Sequence, residues 1–144
     1  MLKNSFFILT LSLLFVMYSC SKGPKNKIKI TDTTQVKFDT YVYNFDTINQ
    51  GDKIVYIFTF TNIGKAPYIV KNTGTSCGCT VAYAPKKPIK PGEKSYIKVE
   101  FNSTGKIGEQ YKTIFIEGNS KPSRIELVLK GFVRPPKIEN TNTK

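Results

Sequence analysis

The chain has 144 residues, 40% of them hydrophobic, and carries 22 Lys and Arg against 10 Asp and Glu, for a net charge of +12. That composition is globular rather than disordered, and the length suits one domain that buries a core without a metal or disulfide. There is no His, and Met1 and Met17 both fall in the first 20 residues; this excludes a Ser-His-Asp triad or a Cys-His dyad within one chain, and leaves zinc only thiols and carboxylates as ligands.

Residues 1–20 read MLKNSFFILTLSLLFVMYSC. Lys3 supplies a short positive segment, and Phe6 to Met17 is an apolar run interrupted only by Thr10 and Ser12. Such a run is shorter than the about 20 apolar residues of a transmembrane helix and matches the core of a signal peptide. Ser19-Cys20 directly after it resembles a bacterial lipobox, although Met17 and Tyr18 stand where Leu and Ala or Ser are usual. The expectation is a lipoprotein signal peptide over 1–19 and a membrane anchor at acylated Cys20, where two or three acyl chains hold stably. Residues 20–35 read as a flexible basic tether rich in Ser, Lys, Gly, Pro, Asn and Thr. Lys22, Lys25, Lys27 and Lys29 lie close to that lipid, and each basic residue near anionic headgroups gains about 1 kcal/mol. No acidic residue separates Cys20 from Asp32, which favours a periplasm-facing protein of the cell envelope over a surface-displayed one.

From Val36 the pattern is β, with Gly and Pro as punctuation and no sustained helical period. Val36 to Phe45 reads as a first strand that closes at Asp46-Thr47. Lys53 to Asn62 reads as the strongest strand, with Ile54, Tyr56, Phe58 and Phe60 on one face and Val55, Ile57, Thr59 and Thr61 on the other. Gly64 is expected to supply a positive φ in the turn after it. Ala66 to Asn72 reads as a short strand, Thr73-Gly74-Thr75 as a bend, and Cys79 to Tyr83 as extended with Cys79, Val81 and Tyr83 on one face. Pro91-Gly92 marks a turn. Tyr96 to Phe101 alternates with Ile97, Val99 and Phe101 inward; Tyr111 to Glu117 places Ile114 and Ile116 together; Arg124 to Lys130 turns Ile125, Leu127 and Leu129 inward. Residues 134–144 read as a polar tail behind Pro135-Pro136. About seven short strands at this spacing predict an all-β fold, an Ig-like antiparallel β-sandwich over 36–133, with a small barrel as the alternative.

Four motifs occur in order along this domain: Phe45-Asp46-Thr47-Ile48 with Gly51-Asp52; Phe58 to Gly64; Ser76-Cys77-Gly78-Cys79-Thr80; and Ile89-Lys90-Pro91-Gly92-Glu93. Together they resemble a bacterial family of uncharacterised Ig-like domains found mostly in lipoproteins and secreted proteins. That family is similar to Hydin-like and major-sperm-protein-like sandwiches. The resemblance covers roughly Val36 to Val133. It departs at Asp46-Thr47, where the family usually has a Gly. It implies an Ig-like sandwich and brings no activity with it.

Cys77 and Cys79 are the one place after Cys20 where reactive side chains cluster. In a flat strand their Cα atoms would stand about 6.6 Å apart, at the edge of the disulfide range of about 4.4–6.8 Å, so a bond between them requires a bend, which Gly78 would permit. Four readings compete: small buried thiols, an intrachain disulfide with a structural or weak redox role, a Cu(I) site, and a thiol–disulfide catalyst, which lacks a helix N-terminus to lower a thiol pKa. Copper aside, no cofactor is expected. Glu100, Glu117 and Glu126 alternate with apolar residues and read as solvated faces, while Tyr41, Tyr43, Tyr56, Tyr83 and Tyr111 read as core or cross-strand residues. An exported chain without a base-stacking motif is not expected to bind nucleic acid. The sequence therefore predicts a non-enzymatic binding or assembly module with a protein or cell-envelope polymer as partner, and a thiol–disulfide or copper-handling protein as the rival.

Overall fold

The structure is a computed structural model and describes residues 32–136. The expected signal peptide, Cys20, most of the tether and the end of the polar tail lie outside the described residues. Eight strands follow in order: β1 (Val36–Phe38), β2 (Val42–Asn49), β3 (Lys53–Asn62), β4 (Val70–Thr75), β5 (Thr80–Tyr83), β6 (Lys94–Asn102), β7 (Gly108–Gly118) and β8 (Arg124–Arg134). They form two four-stranded sheets, β1-β3-β6-β5 and β2-β8-β7-β4.

The period-2 pattern decides which side chains meet between the sheets. Phe58 and Phe60 from β3, Ile97, Val99 and Phe101 from β6, Ile114 and Ile116 from β7, and Leu127 and Leu129 from β8 are all buried. Burying each such side chain contributes on the order of 1.5–3 kcal/mol before conformational entropy is subtracted. The inward faces expected for β3, β6, β7 and β8 are the observed ones.

Several local expectations change. The first expected strand is two, because the chain crosses between sheets at Asp39-Thr40-Tyr41. That crossing makes β2 run parallel to β8, so the sheet is mixed rather than antiparallel throughout. β2 bulges between Asn44 and Thr47, with Asp46 at φ 55. Asp46 thus takes the left-handed conformation at the position where the resemblance leads one to expect Gly, a conformation Asp tolerates better than most residues. Gly131 lies against this bulge, where a Cβ would strike the Phe45 ring and come 2.7 Å from the Asp46 carbonyl oxygen. The strand expected over Ala66 to Asn72 sits later, and Thr73-Gly74-Thr75 is paired strand against Ile114 to Ile116, not a bend. Tyr68 makes an isolated bridge to Ile89 and is the fully buried tyrosine. Tyr41, Tyr83 and Tyr111 are instead exposed, and Tyr43 stacks on Tyr56 at 3.7 Å.

One end of the sandwich is closed by two buried asparagines. The Asn62 amide donates to the Ala66 and Ile89 carbonyls (2.9 Å each), and its oxygen accepts from the Thr34 hydroxyl (2.7 Å) and the Gly64 N–H (3.2 Å). The Asn119 amide donates to the Asp32 and Pro67 carbonyls (2.8 and 2.9 Å), and its oxygen accepts from the Ile69 N–H (2.8 Å). Gly64 is not left-handed. It is needed because a Cβ there would strike Thr34. Residues 32–35 are therefore fastened to this end, and the β4–β5 connection lies at the other.

Candidate functional site

Ser76 to Cys79 carry the chain from β4 in one sheet to β5 in the other. The Cys77 and Cys79 sulfurs are at bonding distance, 2.03 Å, and their Cα atoms are 5.4 Å apart. That is shorter than the about 6.6 Å of a flat strand, so the expected bend is present. It is a hydrogen-bonded turn: the Thr80 N–H donates to the Cys77 carbonyl (3.2 Å), and the Thr75 hydroxyl lies 3.0 Å from the carbonyl oxygens of both Cys77 and Thr80. Ser76 ties the turn to β7, its N–H donating to the Thr113 carbonyl (2.9 Å) and its hydroxyl accepting from the Thr113 N–H (3.1 Å). The Asn102 N–H holds the Cys79 carbonyl at 2.9 Å. Gly78 is exposed, has no positive φ, and has open space where a Cβ would stand. The bend therefore does not depend on glycine's conformational freedom.

Both cysteines are half-buried, and Cys79 packs on the core. The hydroxyl of buried Thr80 lies 3.6 Å from the Cys77 sulfur and 3.9 Å from that of Cys79. Bonded sulfurs offer no thiolate pair, so copper would need the reduced form. Among the described residues no group of three or more Cys, Asp and Glu side chains gathers as a metal site. Lys112 faces inward from β7, its Nζ 5.8 Å from the Phe101 ring centre. Burial, and secondarily Lys106, pushes its ammonium pKa down.

The disulfide borders a cleft of about 350 Å³ lined by Cys79, Val55, Val81, Glu100, Phe101 and Lys53 among others. This cleft opens onto the outer face of the β1-β3-β6-β5 sheet. There Val55, Ile57, Val81, Tyr83 and Tyr96 are each between 46% and 56% exposed. The register sets Val55 and Val81 on either side of Glu100, and Ile57 and Tyr83 on either side of Lys98. Lys98 and Glu100 form an ion pair at 2.6 Å in the middle of this apolar surface, and the Lys98 ammonium lies 5.4 Å from the Tyr83 ring centre. The hydrogen bond to Glu100 raises the Lys98 pKa. A second cleft, of about 210 Å³, lies between Tyr83, Pro85, Tyr96 and Lys98.

Of the three residues expected on one face, Val81 and Tyr83 share the outward one, while Cys79, which precedes β5 in the bonded turn, packs on the core; Thr80 and Ala82 also turn toward the core. The apolar surface as a whole was not anticipated. Its signal was β3, which is apolar on both faces. Glu117 and Glu126 lie beside Arg124, at 3.9 and 3.7 Å, on half-exposed side chains.

The family model described as "Protein of unknown function (DUF1573)" matches residues 36–133. No curated protein matches the chain. Among solved structures, a protein of unknown function from Porphyromonas gingivalis W83 superposes with a TM-score of 0.62 at 14% identity, over 74% of this chain and 50% of that one. The ASH/PapD-like domain 7 of human CEP192 gives 0.59 at 12% identity, over 83% and 98%. The secreted serine protease VesC from Vibrio cholerae gives 0.55 at 16% identity, over 69% and 23%. The chain thus spans half of the Porphyromonas protein and 23% of VesC. At such identities the likeness is one of fold, a PapD-like, Ig-like sandwich.

Proposed function

We propose, from the premise that this chain belongs to the DUF1573 family of proteins of unknown function, that it is a lipid-anchored, non-enzymatic binding or assembly module of the bacterial cell envelope. The anchor is acylated Cys20, and the domain faces the periplasm. The observation that carries the binding reading is the outer face of the β1-β3-β6-β5 sheet. Soluble domains seldom leave contiguous apolar surface uncovered unless something binds it. Here Val55, Ile57, Val81, Tyr83 and Tyr96 form such a surface between two clefts. The ion pair at its centre would give a protein or polymer partner directional contacts. Tyrosine is a residue type that recurs at such interfaces.

A photo-crosslinking side chain in place of Ile57 or Tyr96 should give a discrete adduct in intact cells, and one at Tyr111, on the other sheet, should not. Ile57→Glu should abolish the Tyr96-site adduct without lowering the melting temperature by more than a few degrees. Equal labelling from both sheets would sink the reading. Mass spectrometry of the mature protein tests the anchor. A diacylglyceryl mass on Cys20 supports it, and an unmodified N-terminus elsewhere refutes it.

The rival reading is thiol–disulfide exchange at Cys77–Cys79, favoured by one observation: the bond borders the same cleft as the apolar face. Replacing both cysteines by Ser should leave partner capture largely intact under the binding reading, weakened only as far as β5 loosens, and abolish activity under the rival.

A further inference from the structure

Four segments meet at the end of the sandwich that the chain enters: residues 32–35, 62–67, 84–94 and 118–123. The ladders fix this, since Val36 pairs with Asn62 and Thr61 with Lys94, Tyr68 bridges Ile89, and Val70 pairs with Gly118. These segments carry Lys65, Lys86, Lys87, Lys90, Lys94 and Lys121, all exposed. Against them stand only Asp32 and Glu93, and the Glu93 carboxylate already accepts the Lys90 N–H at 2.8 Å. Among the described residues none of these lysines forms an ion pair. The other end of the sandwich, where Cys77–Cys79 lies, presents Lys53, Lys106 and Arg134 with Asp52.

The basic end is also the tether's end. Thr34 is held by the Asn119 carbonyl (3.0 Å), and Lys121 N–H returns to the Thr34 carbonyl (3.0 Å). In sequence, Lys22, Lys25, Lys27 and Lys29 lie between Cys20 and this attachment, with no acidic residue among them. Clusters of about four to eight basic residues beside a membrane anchor recognise anionic lipid headgroups.

We propose that this end, centred on Lys65, Lys90 and Lys121, docks on an anionic phospholipid surface. The domain then stands on the membrane with the Cys77–Cys79 cleft at its far end. The inference deepens the proposed anchoring at Cys20 and rests on it for the orientation. The surface needs no pocket, because headgroups are met by exposed, long side chains at the rim rather than by a cavity.

The test uses the full mature protein with two kinds of vesicle: phosphatidylcholine alone, and phosphatidylcholine with about 30 mol% phosphatidylglycerol. Flotation reads membrane binding, and amine acylation followed by peptide mass spectrometry reads the accessibility of each lysine. The expected result is flotation with both vesicles. Lys65, Lys90 and Lys121 should be acylated at least several-fold more slowly on the anionic ones only, with Lys53 and Lys130 unchanged. Salt of about 1 M, where the screening length is about 3 Å, should abolish the difference. The K65Q/K90Q/K121Q chain should lose the protection of Lys94. Flotation with both vesicles and equal acylation overturns the docking surface while leaving the anchor standing. Flotation with anionic vesicles alone, with protection, refutes the anchor and supports the surface. Flotation with neither refutes both.

Discussion

Asn62→Ala tests how the basic end is built. Asn62 has four hydrogen-bond partners, but their dependence on it is unequal. The Ile89 carbonyl keeps the Tyr68 N–H at 2.8 Å, and the Gly64 N–H keeps the Gln35 carbonyl at 3.1 Å. Among the described residues, the Thr34 hydroxyl and the Ala66 carbonyl have no other hydrogen-bond partner. Thr34 is buried, so its hydroxyl would be left without water; the Ala66 site is only partly buried and is more easily hydrated. An orphaned buried polar group costs about 1–3 kcal/mol, so the substitution should cost about 2–4 kcal/mol in all. For a domain of this size that lowers the melting temperature by on the order of 10–25 °C. Thermal unfolding by circular dichroism reads this directly. In a Thr34→Val background the same change should cost about 1 kcal/mol less, because one orphan is already gone. A drop below about 5 °C, or strict additivity with Thr34→Val, would refute the account.

Gly131→Ala should lower stability by about 1–3 kcal/mol, because the new methyl must displace the Phe45 ring or the Asp46 backbone at the β2 bulge; a lower urea midpoint at unchanged slope checks it, and an unchanged midpoint counts against the packing. Tyr68 gives a pH signature. Its hydroxyl is buried, and burial raises its pKa above the ordinary value, opposed only in part by neighbouring Ser120. The folded state therefore holds this proton more tightly than the unfolded chain. The resulting stability is complete below the ordinary tyrosine pKa of about 10 and is lost as pH rises through the raised folded value. Urea midpoints measured across the alkaline range should fall, and Tyr68→Phe should flatten that fall; an equal slope in both proteins refutes it.

What the sequence made legible was alternation. β3, β6, β7 and β8 each bury one face against the opposite sheet, so Phe58, Ile97, Ile114 and Leu127 were assignable from period alone. The sheet crossing at Asp39-Thr40-Tyr41 was not, because Asp39-Thr40 is only a two-residue polar break in a stretch rich in Val, Tyr and Phe, and nothing in it shows that the two halves pair with different strands. The parallel β2–β8 pairing follows from that crossing and was hidden with it. The apolar outer face was hidden for another reason. Val55 and Ile57 suit a strand covered on both sides as well as one awaiting a partner, and only the exposure of Val81, Tyr83 and Tyr96 beside them separates the two. Gly64 was legible as a required glycine but for the wrong cause, since its crowding by Thr34 is a long-range contact.

The disulfide and the apolar face are linked through the register of β5. This strand has four residues and lies at a sheet edge. Its pairing begins at Thr80 with Phe101, one residue after the bonded turn. A slip of one residue would turn Val81 and Tyr83 inward and Thr80 and Ala82 outward. So short an edge strand has little pairing of its own to resist that slip or fraying. The bond fixes its first residue. Closing so small a loop removes little chain entropy, and the loop-closure relation gives about 1–2 kcal/mol. Cys77→Ser/Cys79→Ser should therefore leave the domain folded on the Thr75 and Ser76 hydrogen bonds, at a melting temperature lower by about 5–15 °C. Hydrogen exchange should quicken at the β5 amides and stay unchanged in β3 and β6. Uniform quickening across the sheet would mean that the bond acts on global stability alone. No change at β5 would mean that the turn is held without it, and the case for exchange chemistry at Cys77–Cys79 would then rise.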